Sequence, residues 1–137
     1  MKKKIIIVTV LLFCIIIFAH SFQNITIAKT AKSIMNSSYE LYGKDVPKKY
    51  EDIVSDYYFA LMNHREQSDK IISEENQVYI SSVHSGLYRA EVRLFYEYHT
   101  FDSNGNDYIG TTGTVPVTIR FIKKNGKWVV SEYIEDP

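Results

Sequence analysis

Residues 88–99 read YRAEVRLFYEYH: Tyr88, Ala90, Val92, Leu94, Tyr96 and Tyr98 alternate with Arg89, Glu91, Arg93, Phe95, Glu97 and His99. A two-residue period of apolar and polar side chains marks a long strand with one face in a core and one in water. The same period recurs downstream, where Val115, Val117, Ile119 and Phe121 share one face and Thr114, Thr118 and Arg120 the other. Pro116 points outward in that register and cannot donate to a ladder, so its N–H side should lie at an edge or bulge. Asp102-Ser103-Asn104-Gly105-Asn106 and Lys124-Asn125-Gly126-Lys127 carry the Asn-Gly pair of tight hairpins. The second leads into a final strand, Trp128 to Ile134. Upstream, Val78 to Val83 reads as a short strand broken at Ser85-Gly86, and Gln67 to Asn76 as a polar turn or loop.

Ahead of these strands the period changes. Asp45-Val46-Pro47 is a helix start, and Tyr50, Ile53, Val54, Tyr57, Tyr58, Leu61 and Met62 recur at three- and four-residue steps, predicting a helix over 47–64. Ile27, Ala28, Ala31, Ile34 and Met35 predict another, ending near Gly43. Helices followed by a meander of strands give an α+β fold. Its N-terminal helices pack on a curved, cone-like antiparallel sheet of three to four strands whose other face stays at least partly open.

The chain opens with Lys2, Lys3 and Lys4, then an apolar run from Ile5 to Phe18 interrupted only by Thr9 and Cys14. A basic head before such a run is an export segment. Ala19-His20-Ser21 places small residues where a signal peptidase reads, so cleavage falls after Ser21. The competing fate is a retained membrane anchor extended through Phe22, Ile25 and Ile27. On either fate the lysines stay cytoplasmic and the rest is translocated. The localisation is then secreted, or tethered at the extracytoplasmic face. Cys14 follows Phe13 inside the apolar run, which is not the setting of a lipid-modified cysteine. The organisation expected is residues 1–21 as signal peptide or anchor, 22–45 as stalk or N-terminal helix, and 46–137 as the α+β domain.

Without residues 1–21 the chain keeps no cysteine, so the exported part relies on its core rather than disulfides. It is acidic by three charges and offers no basic surface for nucleic acid. Membrane contact is expected only through the N-terminal segment.

Two phrases, DIVSDYYFALMNHREQSDKI (52–71) and VTIRFIKKNGKWVVSEYIED (117–136), resemble the nuclear transport factor 2-like (cystatin-like α+β) superfamily over about residues 47–136. The first is similar to that family's opening helix, the second to its hairpin with a tryptophan strand. The resemblance implies a curved sheet wrapped around helices, a frame that holds ligands, hosts acid-base chemistry or serves as an adaptor.

The residues themselves offer little catalysis. The inward sets contain no acid or base stronger than a tyrosine phenol. Glu132 shares a face with Trp128, Val130 and Ile134 by alternation and is the one acidic candidate, but the better reading is that the strand end frays or bulges and sends it to solvent. His64, His84 and His99 lack metal-site spacing and read as surface residues. Gly110-Thr111-Thr112-Gly113-Thr114 lacks the lysine of a phosphate loop and reads as a strand entry. Tyr57, Tyr58, Tyr96, Tyr98 and Tyr133 are an aromatic wall or simply core. The expectation is therefore a non-catalytic binding or interaction module with no cofactor and no metal, whose partner is an envelope or extracellular protein. The alternative is a small-molecule pocket protein or acid-base enzyme using Glu132 or His99 with tyrosines.

Overall fold

No glycine or proline occurs before Gly43, so nothing in the first forty residues interrupts helical hydrogen bonding. The computed structural model describes residues 2–40, 45–62, 71–110 and 114–135, and its first element, α1, is one continuous helix over Lys2–Glu40. At about 1.5 Å per residue it is roughly 58 Å long. Its two halves differ in kind. From Ile5 to Phe22 the apolar side chains are exposed on every side, whereas Ile27, Ala31, Ile34, Met35 and Ser38 form a buried stripe at helical spacing. Ala31 keeps the helix close to the sheet. Ile27, Ile34 and Met35 each contribute about 1.5–3 kcal/mol by leaving water.

The segment read as a possible stalk shares one core with the strands, and α1 packs mainly on β1. The helix reading of 22–45 describes it, through Glu40.

Among the described residues five strands follow, all antiparallel: β1 Ser73–Ser85, β2 Arg89–Phe101, β3 Asp107–Gly110, β4 Val115–Lys124 and β5 Lys127–Glu135. The sheet order is β1-β2-β4-β5, with β3 beside the far end of β2. This is the α+β arrangement the alternation predicted, with one strand more. β2 buries Ala90, Val92, Leu94, Tyr96, Tyr98 and Thr100, and β4 buries Val117, Ile119 and Phe121. Tyr88 falls outside the strand and is exposed. Pro116 pairs with Phe95, and among the described residues the β4–β5 ladder begins one step later, at Val117 opposite Glu135. Asn125 and Gly126 both adopt positive φ (49° and 80°), the backbone a two-residue hairpin turn requires.

Two expectations are corrected. The helix over 47–64 is broken within the described residues into a 3-10 turn at Lys48–Tyr50 and a short helix, α2, at Asp56–Leu61. Ser55 is extended and caps α2 by accepting the Tyr58 amide at 3.4 Å. The Ile53 carbonyl accepts from Val130 N–H of β5 at 2.7 Å instead of continuing a helix. The break still buries the predicted apolar residues Tyr50, Val54 and Met62, and Phe59 with them.

β1 is also more than twice as long as Val78–Val83 suggested, and takes in Ser73 to Asn76, which read as loop. Glu74 and Glu75 pair with Thr100 and His99. β1 is an edge strand, where polar side chains are tolerated and the apolar alternation fades.

β5 carries a bulge of the kind expected to send Glu132 to solvent. Its ladder shifts between Arg120/Glu132 and Phe121/Val130, leaving Ser131 as the extra residue of a bulge. Glu132 is thereby turned to the outer face, while Tyr133 and Glu135 turn inward.

Candidate functional site

The concave face of the sheet is filled by the chain itself. Ile27, Ile34 and Met35 of α1, Val54, and Phe59 and Met62 from around α2 meet Val92, Leu94 and Ile119 of the sheet. Among the described residues two polar constellations remain, one on the outer face and one at the end of the sheet beside Tyr39 of α1.

On the outer face, strand register lines up one residue from each of four strands: His84 opposite Glu91, Glu91 opposite Arg120, Arg120 opposite Glu132. Arg120 Nη1 donates to Glu132 Oε2 at 2.6 Å and its Nε to Glu91 Oε2 at 3.1 Å. Arg93 Nε donates to the other Glu91 oxygen at 3.0 Å. The bonds from Arg120, and after them Arg93, hold the Glu91 carboxyl below the usual carboxylate range. Arg120 is about half exposed, so much of its guanidinium faces water. The row borders a depression of about 440 Å³. Its polar groups suit recognition of a charged surface, since Arg presents several donors in a fixed fork.

The second constellation gathers Tyr39 from α1, Tyr96 and Tyr98 from β2, and Tyr133 and Glu135 from β5. The Tyr39 ring lies 5.6 Å from that of Tyr96 and 5.2 Å from that of Tyr98. Tyr96 and Tyr133 hydroxyls each donate to Glu135, to Oε1 and Oε2 respectively, both at 3.0 Å. Burial pushes all three phenols up. Tyr96 reaches about 12, and Tyr39 and Tyr133 lie higher, with the Glu135 charge adding to the effect of burial on Tyr133. At neutral pH these phenols stay protonated, and the hydroxyls of Tyr96 and Tyr133 orient one carboxylate. A smaller hollow of about 210 Å³ adjoins Tyr39, lined also by Asn36, Glu40, Glu74 and Asn76.

The residues singled out by sequence are thus divided. Glu132 is outward and paired with Arg120, and so is not an interior acid. His99 lies on the outer face of β2, its Nδ1 3.4 Å from Asp107 Oδ1. His84 belongs to the charged row, and His64 lies outside the described residues, as do Thr111 to Gly113. The tyrosine wall splits: Tyr57 is 67 % exposed, and Tyr58 donates its hydroxyl to the Ser131 carbonyl at 2.6 Å. Tyr96, Tyr98 and Tyr133 do converge. Tyr39 and Glu135 were missed. The α1 stripe continued from Met35 by four residues points to Tyr39, whereas nothing local announces the bulge that turns Glu135 inward. Among the described residues no three His, Cys, Asp or Glu side chains gather as metal ligands.

No protein-family model matches the chain, and no curated protein does. The chain is similar to a solved structure titled Rd1NTF2_05, a designed nuclear transport factor 2-like protein carrying five substitutions, at 16 % identity. The match covers 85 % of this chain and 99 % of that one, with a TM-score of 0.44.

Proposed function

We propose that this chain is a membrane-tethered, extracytoplasmic binding module without catalytic chemistry, and that it docks an envelope protein through the outer face of its sheet. The observation that carries the reading is the occupancy of the two faces: the concave side is packed with the chain's own side chains, while the outer side presents the half-exposed Arg120 between Glu91 and Glu132 beside an open depression. Tethering is supported by the continuity of α1. The bond after Ser21 lies within an unbroken helix, and Gln23 and Asn24, just beyond it, are hydrogen-bonded to the β1–β2 turn. Residues 22–24 are thereby part of the folded unit rather than a free leader end.

A second reading is favoured by the tyrosine cluster. Glu135, held by two neutral phenols, is the one carboxylate found among the core aromatics within the described residues, as a small-ligand or acid-base site would require. Affinity capture from detergent-solubilised native membranes tests both readings. Comparison of wild type with Arg120→Glu and Glu135→Gln is expected to show a full-length chain whose co-captured polypeptide is lost only in Arg120→Glu. A product beginning at Phe22 in the medium refutes the tether. Capture that survives Arg120→Glu refutes the outer face as the docking surface.

A further inference from the structure

The sheet is polarised along its strands. The β1–β2 and β4–β5 hairpins turn at the same end, because Arg89 pairs with Ile122 and Lys124 with Lys127. That end carries Arg89, Lys123, Lys124 and Lys127, of which Lys127 is paired with Asp52 at 2.6 Å. The opposite end carries Glu40, Glu74, Glu75, Asp102 and Asp107. At the basic end the tip of the β1–β2 hairpin exposes Leu87 and Tyr88 by 80 % and 72 %, more than any other large apolar residue among the described residues outside α1. The two hairpins are joined there, since Lys123 N–H donates to the Tyr88 carbonyl at 2.9 Å.

The same end is where α1 leaves its apolar stretch. At about 1.5 Å per residue, Ile5 to Phe22 covers roughly 27 Å, close to the ~30 Å hydrocarbon core of a bilayer. Gln23 and Asn24, the next two residues, bind the hairpin. Gln23 Nε2 donates to Ser85 Oγ at 2.9 Å and to the Gly86 carbonyl at 3.2 Å, and Ser85 Oγ donates to Asn24 Oδ1 at 2.5 Å. With α1 across the bilayer, those bonds hold Ser85 and Gly86 level with its surface, and Leu87 and Tyr88 project from them. Tyrosine favours that interfacial depth, and lysine and arginine beside it favour anionic headgroups.

We propose that the Leu87–Tyr88 tip, flanked by Arg89 and Lys124, seats in the headgroup region of the bilayer that α1 spans, fixing the domain at a second point. This rests on the tether reading above. Two attachments hold the sheet in one orientation, with its acidic end away from the membrane. The outer-face depression, which includes His84 and Arg89 near the tip, then opens sideways just above the lipid.

The test uses the full chain with Cys14→Ser and a single cysteine placed by Leu87→Cys or, at the far end, by Ser103→Cys. Each is labelled with an environment-sensitive fluorophore and reconstituted into nanodiscs of phosphatidylglycerol and phosphatidylcholine. A blue-shifted emission at position 87, quenched by brominated acyl chains and weaker in phosphatidylcholine alone, is expected beside a water-like emission at 103. Water-like emission at both positions in an incorporated chain overturns the second contact and leaves the tether standing. Failure of the chain to enter the nanodisc at all overturns the tether and this inference together.

Discussion

Glu135→Ala removes the acceptor shared by Tyr96 and Tyr133, two phenols whose carbons are packed in the core. A hydrogen bond to an ionised group contributes about 1.5–3 kcal/mol, so two give an upper bound of roughly 3–6 kcal/mol. Glu135 is only partly buried, and water can replace part of what the carboxylate supplies, which brings the expected loss to about 1–3 kcal/mol. The comparison that makes this diagnostic is Glu132→Ala, three residues earlier on the same strand. Its carboxylate faces solvent beside Arg120, and exposed pairs contribute little. Denaturant unfolding of both variants in detergent, followed by the fluorescence of the single tryptophan, Trp128, should show a lowered midpoint for Glu135→Ala and an unchanged one for Glu132→Ala. The Tyr96 phenol should also titrate below its value of about 12, because a neighbouring negative charge is gone, while remaining above the ordinary value because burial persists. The reverse order of stabilities would place Glu132 inside, and would refute the Ser131 bulge and the cluster built on it.

Alkaline titration of the native chain should leave Tyr39, Tyr96 and Tyr133 un-ionised at about pH 10, where a free phenol is half ionised. Their raised folded values mean that the stability they contribute is complete below the unfolded value and is lost as pH rises through the folded ones; a single ionisation step with structure retained contradicts this. Arg120→Met should raise the Glu91 titration midpoint towards the ordinary carboxylate value, read by NMR of the side-chain carboxyl, since Arg120 is the first of the two donors that lower it. Ile34→Ala, at a site with no solvent exposure on the face of α1 that meets the sheet, should cost about 2–5 kcal/mol in the same unfolding assay; a loss under ~1 kcal/mol would show that this half of α1 is not part of the core.

Sequence by itself determined what depends on neighbours along the chain. The period-two pattern of Ala90 to Tyr98 and Val117 to Phe121 named the core faces of β2 and β4, because successive strand side chains must alternate. Asn125-Gly126 named its hairpin, because few other pairs tolerate two positive φ values. The lysines and the apolar run named a segment suited to a membrane, a matter of composition and length. Tertiary structure decided what depends on partners distant in sequence. Ile53 gives its carbonyl to Val130, and a helix expected over 47–64 stops. Glu74 and Glu75 find Thr100 and His99, and a polar loop becomes the start of an edge strand. Ser131 bulges under Tyr58, and the acid that faces the core becomes Glu135 rather than Glu132. The apolar segment, read first as an address, continues without a break into the helix that the sheet encloses. The absence of glycine and proline before Gly43 permits that continuity, but only the fold shows where the helix meets the sheet, through the bonds of Gln23 and Asn24 with a turn some sixty residues away.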